Sequence, residues 1–197
     1  MYKKIIFDLD NTLIEWIDEY DNALKDMLIK YNIDFDYHVL TESIDEYDYY
    51  SEVYNSYDLL NYLNNKHNLN LTIEFINDWL EELGTKGDVS KDIVELLKYL
   101  SSKYELVVLT NWEGTCQTNR LKAAGIYKYF KEVYGGEVLK KPSEEAFKKA
   151  MGPYNIDECI MVGDSMKFDI EPAKKLGIKT YMVGVDIDSI LDLKEML

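Results

Sequence analysis

The chain has 197 residues, 47% hydrophobic and 30% charged, enough for a full apolar core in one domain or in one domain carrying an insertion. Its 37 acidic residues against 22 basic ones give a formal net charge of -15, and Arg120 is the only arginine, so the clustered Lys and Arg that nucleic-acid phosphates require are missing. No apolar run approaches the roughly 18 to 20 residues of a membrane helix, charge begins within the first residues, and Cys116 and Cys159 read as unrelated reduced thiols; a cytoplasmic protein with no membrane or nucleic-acid partner is expected.

Lys3 to Phe7 reads as a short strand of Ile and Phe running into "DLDNT". Residues two apart in an extended chain point to the same side, so Asp8 and Asp10 are held close, which is costly unless a proton or a cation sits between them. Residues 16–87 carry no comparable strand. They show helical periodicity rich in Tyr, Asp and Asn, as in "IDEYDNALKDMLIKY", "SIDEYDYYSEVYNSYDLLNYLNNK" and "IEFINDWLEELG", and are expected to form a helical cap inserted after the first strand. The insertion returns through "GTKGD" at 84–88, whose glycines mark a hinge or turn. Ile44, Tyr47, Tyr50, Tyr54 and Tyr57 follow helical spacing and are expected to form its buried seam. His38 and His67 have no partner at ligand spacing and are expected to be non-catalytic.

From Asp88 onward, strand-like runs at 104–110, 131–136, 158–164 and 178–185 alternate with the helical "SKDIVELLKYLSSK", "TCQTNRLKAAG", "SEEAFKKAMG" and "EPAKKLG". This alternation predicts an α/β fold, a Rossmann-like parallel sheet in a three-layer α/β/α core built from 1–15 and 88–197, with 16–87 as the cap. Gly125 and Gly177 fall at helix C-termini and Pro172 at a helix start. Open sheets of this kind bind ligands beyond the carboxyl ends of their strands. There stand Asp8 and Asp10, then Thr110 and Asn111, then Lys140 and Lys141, then Gly163, Asp164 and Ser165. Three carboxylates, a hydroxyl and an ammonium suit Mg²⁺ with a phosphate, and a carboxylate can attack phosphorus to give an aspartyl-phosphate.

"DLDNT", "LTN", "KKP" and "GDSMKFD", in this order from Phe7 to Asp169, resemble the four-motif pattern of the haloacid dehalogenase-like (HAD) hydrolase superfamily. The resemblance implies Asp8 as nucleophile, Asp10 as general acid/base, Thr110 as a phosphoryl ligand and Lys141 as the motif lysine before proline. It implies a Mg²⁺ site of Asp8, Asp164, a supporting Asp169 and Asp10, the last through its backbone carbonyl with its side chain left free. Asn111, Thr12 and Trp112 are expected at the substrate, although Thr12 could equally cap a turn, and Trp112 with Glu113 should narrow the pocket. Lys140 is expected to be a solvated neighbour of Lys141, and Asp169 has the alternative of capping the next helix. The implied activity is Mg²⁺-dependent hydrolysis of a small phosphorylated metabolite, a phosphomonoester, by a monomer or homodimer whose cap closes over the site. A sugar-phosphate mutase and a haloacid dehalogenase are alternatives on the same fold. A phospho-receiver signalling module is the alternative of another class, against which "VVLTN" lacks the acceptor Asp.

Overall fold

The computed structural model describes the backbone of residues 1–197 and every side chain except that of Ile17. β1 (Lys4–Phe7) is buried along its whole length, as a central parallel strand must be. With β2 (Glu105–Leu109), β3 (Glu132–Tyr134), β4 (Cys159–Gly163) and β5 (Lys179–Met182) it forms a five-stranded parallel sheet in the order β3-β2-β1-β4-β5. Each of the strands expected from the sequence contains the observed one with its ends trimmed. Phe7 lies beside Val108 on one side and Val162 on the other, so the next residue, Asp8, leaves the sheet between two strand ends.

Alternation along the strands sorts their side chains into two cores. Ile5, Phe7, Leu106, Val108, Ile160 and Val162 pack on one face against α5 (Lys91–Ser101), Leu121 of α6 (Gly114–Ala123) and the C-terminal Leu193. Ile6, Val107, Leu109, Cys159 and Met161 pack on the other, against α7 (Glu144–Met151) and α8 (Glu171–Leu176). Each such aliphatic side chain contributes about 1.5–3 kcal/mol by leaving water, which makes the two-sided sheet the main source of stability in this part of the chain. Pro172 opens α8, and Gly125 and Gly177 close α6 and α8 in left-handed conformation, with φ of 72° and 91°.

Helices α1 (Ile17–Lys30), α2 (Tyr37–Tyr50), α3 (Ser56–His67) and α4 (Ile73–Gly84) bury a third cluster around Leu24, Leu40, Ile44, Leu63, Phe75 and Trp79. Trp112 and Cys116 reach into it from the sheet side. Asp36, Asn55 and Thr72 cap α2, α3 and α4 with their side chains, which is why these helices begin where they do. The tyrosine seam is only partly real. Ile44, Tyr47 and Tyr54 are buried, but Tyr50 and Tyr57 are 76% and 63% exposed. α2 stops at Tyr50, and the extended backbone at Ser51 and Asn55 resets the helical phase on which the seam was counted. His67 Nε2 meets Ser43 Oγ at 2.8 Å, a link within the helical layer. Among the described residues, no helix is long and apolar enough to cross a membrane.

Candidate active site

The strand ends of β1, β2 and β4 and the loop after β3 open into one cavity of about 220 Å³, with α1 and α2 closing it from above. Asp8, 7% exposed, sits at its floor. Lys141 Nζ donates to Asp8 Oδ1 at 2.6 Å and to Asp169 Oδ1 at 2.6 Å, and Thr12 Oγ1 reaches Asp8 Oδ2 at 3.3 Å. Asp169 comes from the wide turn Met166–Ile170 and accepts the Ser165 N–H on Oδ2 at 3.0 Å. Its carboxylate is thus spent on the floor of the site and does not cap α8. Gly163 makes this approach possible, since a Cβ there would stand 2.4 Å from Asp169 Oδ2. Single oxygens of Asp8, Asp164 and Asp169 all lie within 4.8 Å of one another.

The charges explain one another. One ammonium faces two buried carboxylates, so full ionisation leaves a net negative charge in a poorly solvated place. Burial, reinforced by Asp169, pushes the Asp8 carboxyl well above its ordinary range against the pull of Lys141. Burial opposes the Lys141 charge too, but Asp169 and Asp8 outweigh it and hold that ammonium above the usual lysine range. Asp164 is raised, first by desolvation and then by Asp169. A further cation would relieve all three carboxylates.

Asp10 points elsewhere. Its side chain lies outside the acidic cluster, and its oxygens are taken by Gln117 Nε2, 2.5 Å from Oδ2, and by Arg120 Nη1 on Oδ1. α6 grips this carboxylate from both sides. Arg120 is fully buried and also holds Glu19 Oε2 of α1 at 2.5 Å. Gln117 Nε2 donates as well to Thr110 Oγ1 at 3.1 Å, and the Trp112 N–H to the same oxygen at 3.3 Å. With its acceptor positions filled, the Thr110 hydroxyl is left to donate into the cavity. Sequence reasoning passed over Arg120, Gln117 and Glu19. No local signal marks them, because Gln117 and Arg120 are polar residues one turn apart on α6 that show as buried only once Asp10, Thr110 and Glu19 meet them.

Asn111 lines the cavity yet spends its amide on the loop. Its Nδ2 donates to the Lys141 carbonyl at 3.1 Å and its Oδ1 accepts the Lys141 N–H at 2.9 Å, so it sets the backbone that aims the lysine. Trp112 also lines the cavity and is wedged against Tyr54 and Trp79, with ring centroids 4.7 and 5.8 Å away. Lys140 is not solvated. It is 3% exposed, pairs with Asp48 Oδ1 at 2.9 Å and donates to Ser51 Oγ at 2.8 Å, joining the loop after β3 to the end of α2. The upper wall adds Trp16, Tyr20, Asp45 and Asp48.

The family model for haloacid dehalogenase-like hydrolase matches residues 5–183. The chain belongs to this hydrolase family. Glyceraldehyde 3-phosphate phosphatase of Pyrococcus abyssi is 31% identical to it, over 91% of this chain and 80% of that protein. Pyrimidine 5'-nucleotidase PynA of Streptococcus pneumoniae is 25% identical, over 91% of this chain and 82% of that one. Among solved structures, the HAD-hydrolase YfnB of Bacillus subtilis, crystallised with magnesium, superposes with a TM-score of 0.82 at 18% identity, covering 100% of this chain and 98% of its own. The L-2-haloacid dehalogenase of Xanthobacter autotrophicus superposes with a TM-score of 0.69 at 18% identity, covering 93% and 78%. The two superpositions speak for the fold. The two sequence relatives named above are a phosphatase and a nucleotidase, and this chain is an enzyme of their family.

Proposed function

We propose that the enzyme is a Mg²⁺-dependent phosphatase that hydrolyses a small phosphomonoester through an aspartyl-phosphate on Asp8. The observation that carries the reading is the buried Asp8 on Lys141, with Asp164 and Asp169 close enough to share one cation. Three hard oxygen donors at that spacing fit Mg²⁺, which keeps waters and takes one or two carboxylates together with a phosphate. Asp8, Asp164 and Asp169 would hold it, with the Asp10 carbonyl as the family resemblance implies. When bound, it supplies positive charge against the phosphoryl oxygens.

The chain's own groups do the rest. Asp8 attacks phosphorus, the bond to the leaving oxygen breaks, and its electron pair departs with that oxygen, which takes a proton from Asp10. Water then attacks the aspartyl-phosphate while Asp10 takes its proton, returning Asp8 and inorganic phosphate. Lys141 offsets the charge carried onto Asp8, and the Thr110 hydroxyl donates to a phosphoryl oxygen. The helical layer α1–α4 acts as the cap, excluding water and meeting the leaving group through Trp16, Tyr20, Asp45 and Asp48.

A cavity of about 220 Å³ is small beside the 300 Å³ or more usual for larger ligands, which favours a short leaving group of triose size over a nucleoside. The glyceraldehyde 3-phosphate phosphatases among the relatives fit that size. Turnover of a panel of phosphorylated metabolites with Mg²⁺, repeated in excess chelator, tests the reading. Hydrolysis of short-chain phosphomonoesters that stops with chelator is expected, and undiminished activity in chelator contradicts it.

A further inference from the structure

We infer that Arg120 is a positioning residue that aims the Asp10 carboxylate at the leaving group and ties that aim to the seating of α1. The inference rests on the phosphatase reading above, with Asp10 as the group that moves the proton. Arg120 is the only arginine of the chain, and it is fully buried on α6. Burying a guanidinium costs several kcal/mol unless acceptors surround it, so its place has to be explained by what it holds.

It holds three parts of the chain at once. Nη1 donates to Asp10 Oδ1 and, at 3.0 Å, to Gln117 Oε1. Nη2 donates to Glu19 Oε2 at 2.5 Å and to the Glu15 carbonyl at 3.4 Å. The guanidinium carbon lies 5.4 Å from the centre of the Tyr20 ring, another α1 residue of the cavity wall. Because the guanidinium is planar, the direction in which it meets Glu19 fixes the direction in which it meets Asp10. Gln117, held against Arg120 on the same helix, secures the second Asp10 oxygen and links it to Thr110. Asp10 is thereby kept out of the Asp8, Asp164 and Asp169 cluster. A displacement of α1 removes one of the two carboxylates that orient the arginine, so Asp10 is aimed correctly only when α1 is seated.

Arg120→Lys keeps the charge but cannot grip two carboxylates in one plane. The test compares the full-length wild type, Arg120→Lys and Glu19→Gln, measuring kcat and KM for p-nitrophenyl phosphate and for an alkyl phosphate with Mg²⁺, and aspartyl-phosphate formation by rapid acid quench. An alkoxide leaving group needs the proton and nitrophenolate does not. Arg120→Lys is expected to slow formation of the intermediate from the alkyl ester about 10- to 100-fold more than from the nitrophenyl ester, a part of the 10²–10⁴ that a positioned acid supplies, with KM little changed. Glu19→Gln leaves Arg120 and Asp10 in place and is expected to show the same leaving-group dependence at smaller size, so it carries the test if Arg120→Lys does not fold. Equal losses for the two esters in every variant that folds would overturn the inference and leave the phosphatase reading standing. A wild type that turns over neither ester with Mg²⁺ overturns both.

Discussion

Lys141 Nζ stands 2.6 Å from Asp8 Oδ1, and both groups are buried where β1 ends. The same ammonium serves Asp169, so two carboxylates depend on one cation. Lys141→Met should therefore act on stability and on chemistry together. Removing one partner of a buried pair costs about 3–5 kcal/mol, and that loss should show in denaturant titration with chelator present and shrink when Mg²⁺ is added. Phosphatase kcat should fall by roughly 100-fold or more, as for other lost partners of transition-state charge. A variant as stable as wild type in chelator would show that the two carboxylates are neutralised by other means.

Gly163→Ala tests how tightly the acidic floor is built. The added Cβ would stand 2.4 Å from Asp169 Oδ2, and Asp169 cannot swing aside without leaving Lys141 and the Ser165 N–H. Overpacking of this kind costs on the order of 1–3 kcal/mol. The variant should unfold at lower denaturant concentration and need more Mg²⁺ for half-maximal activity. Unchanged Mg²⁺ dependence would separate Asp169 from the metal.

Much of this architecture is legible in the sequence because its signals are local. β1, β2 and β4 are short apolar runs ending in Asp8, Thr110 and Asp164, so the strand ends and the chemistry are read from the same few residues. Arg120, Gln117 and Lys140 were not legible in that way. Each is a polar residue that looks solvated until a helix or loop distant in sequence brings it a partner: Asp10 is 110 positions from Arg120, and the Asp48 carbonyl is 92 from Lys140. Tyr50 and Tyr57 failed for the opposite reason, since periodicity was carried across a segment where the backbone is extended.

Lys140 joins the loop after β3 to α2, through Asp48 and Ser51. Burial lowers its proton affinity while Asp48 raises it, and the lysine ends below its ordinary range, so the pair is only partly compensated. Lys140→Met should lower stability by about 1–3 kcal/mol, the cost of leaving its acceptors unpaired. It should also raise KM for the best substrate while changing kcat less, because the lysine orders the cavity wall and touches no reacting atom. A fall in kcat at constant KM would place Lys140 in the chemistry instead.

Asp45 offers a prediction in pH. Desolvation first, then Asp48, Asp21 and Glu42, raise its carboxyl from 3.8 to about 6. A carboxyl raised in the folded state favours folding where it is protonated, below about 4, and that contribution is lost as pH rises through about 6. Asp45→Asn removes the penalty of the charged form. The melting temperature of the variant should match wild type near pH 4 and exceed it above pH 7, by a margin that shrinks with added salt. A constant difference across this range would mean that Asp45 keeps an ordinary carboxylate.

The proposed chemistry turns on Asp8 taking the phosphoryl group. Acid quench of the enzyme during turnover of a short-chain phosphomonoester with Mg²⁺, followed by peptide mass spectrometry, reads it directly. A phosphoryl group is expected on the peptide carrying Asp8, absent in chelator and absent from a folded Asp8→Asn variant that has also lost turnover. Undiminished turnover by Asp8→Asn, or phosphate trapped on another residue, would contradict it.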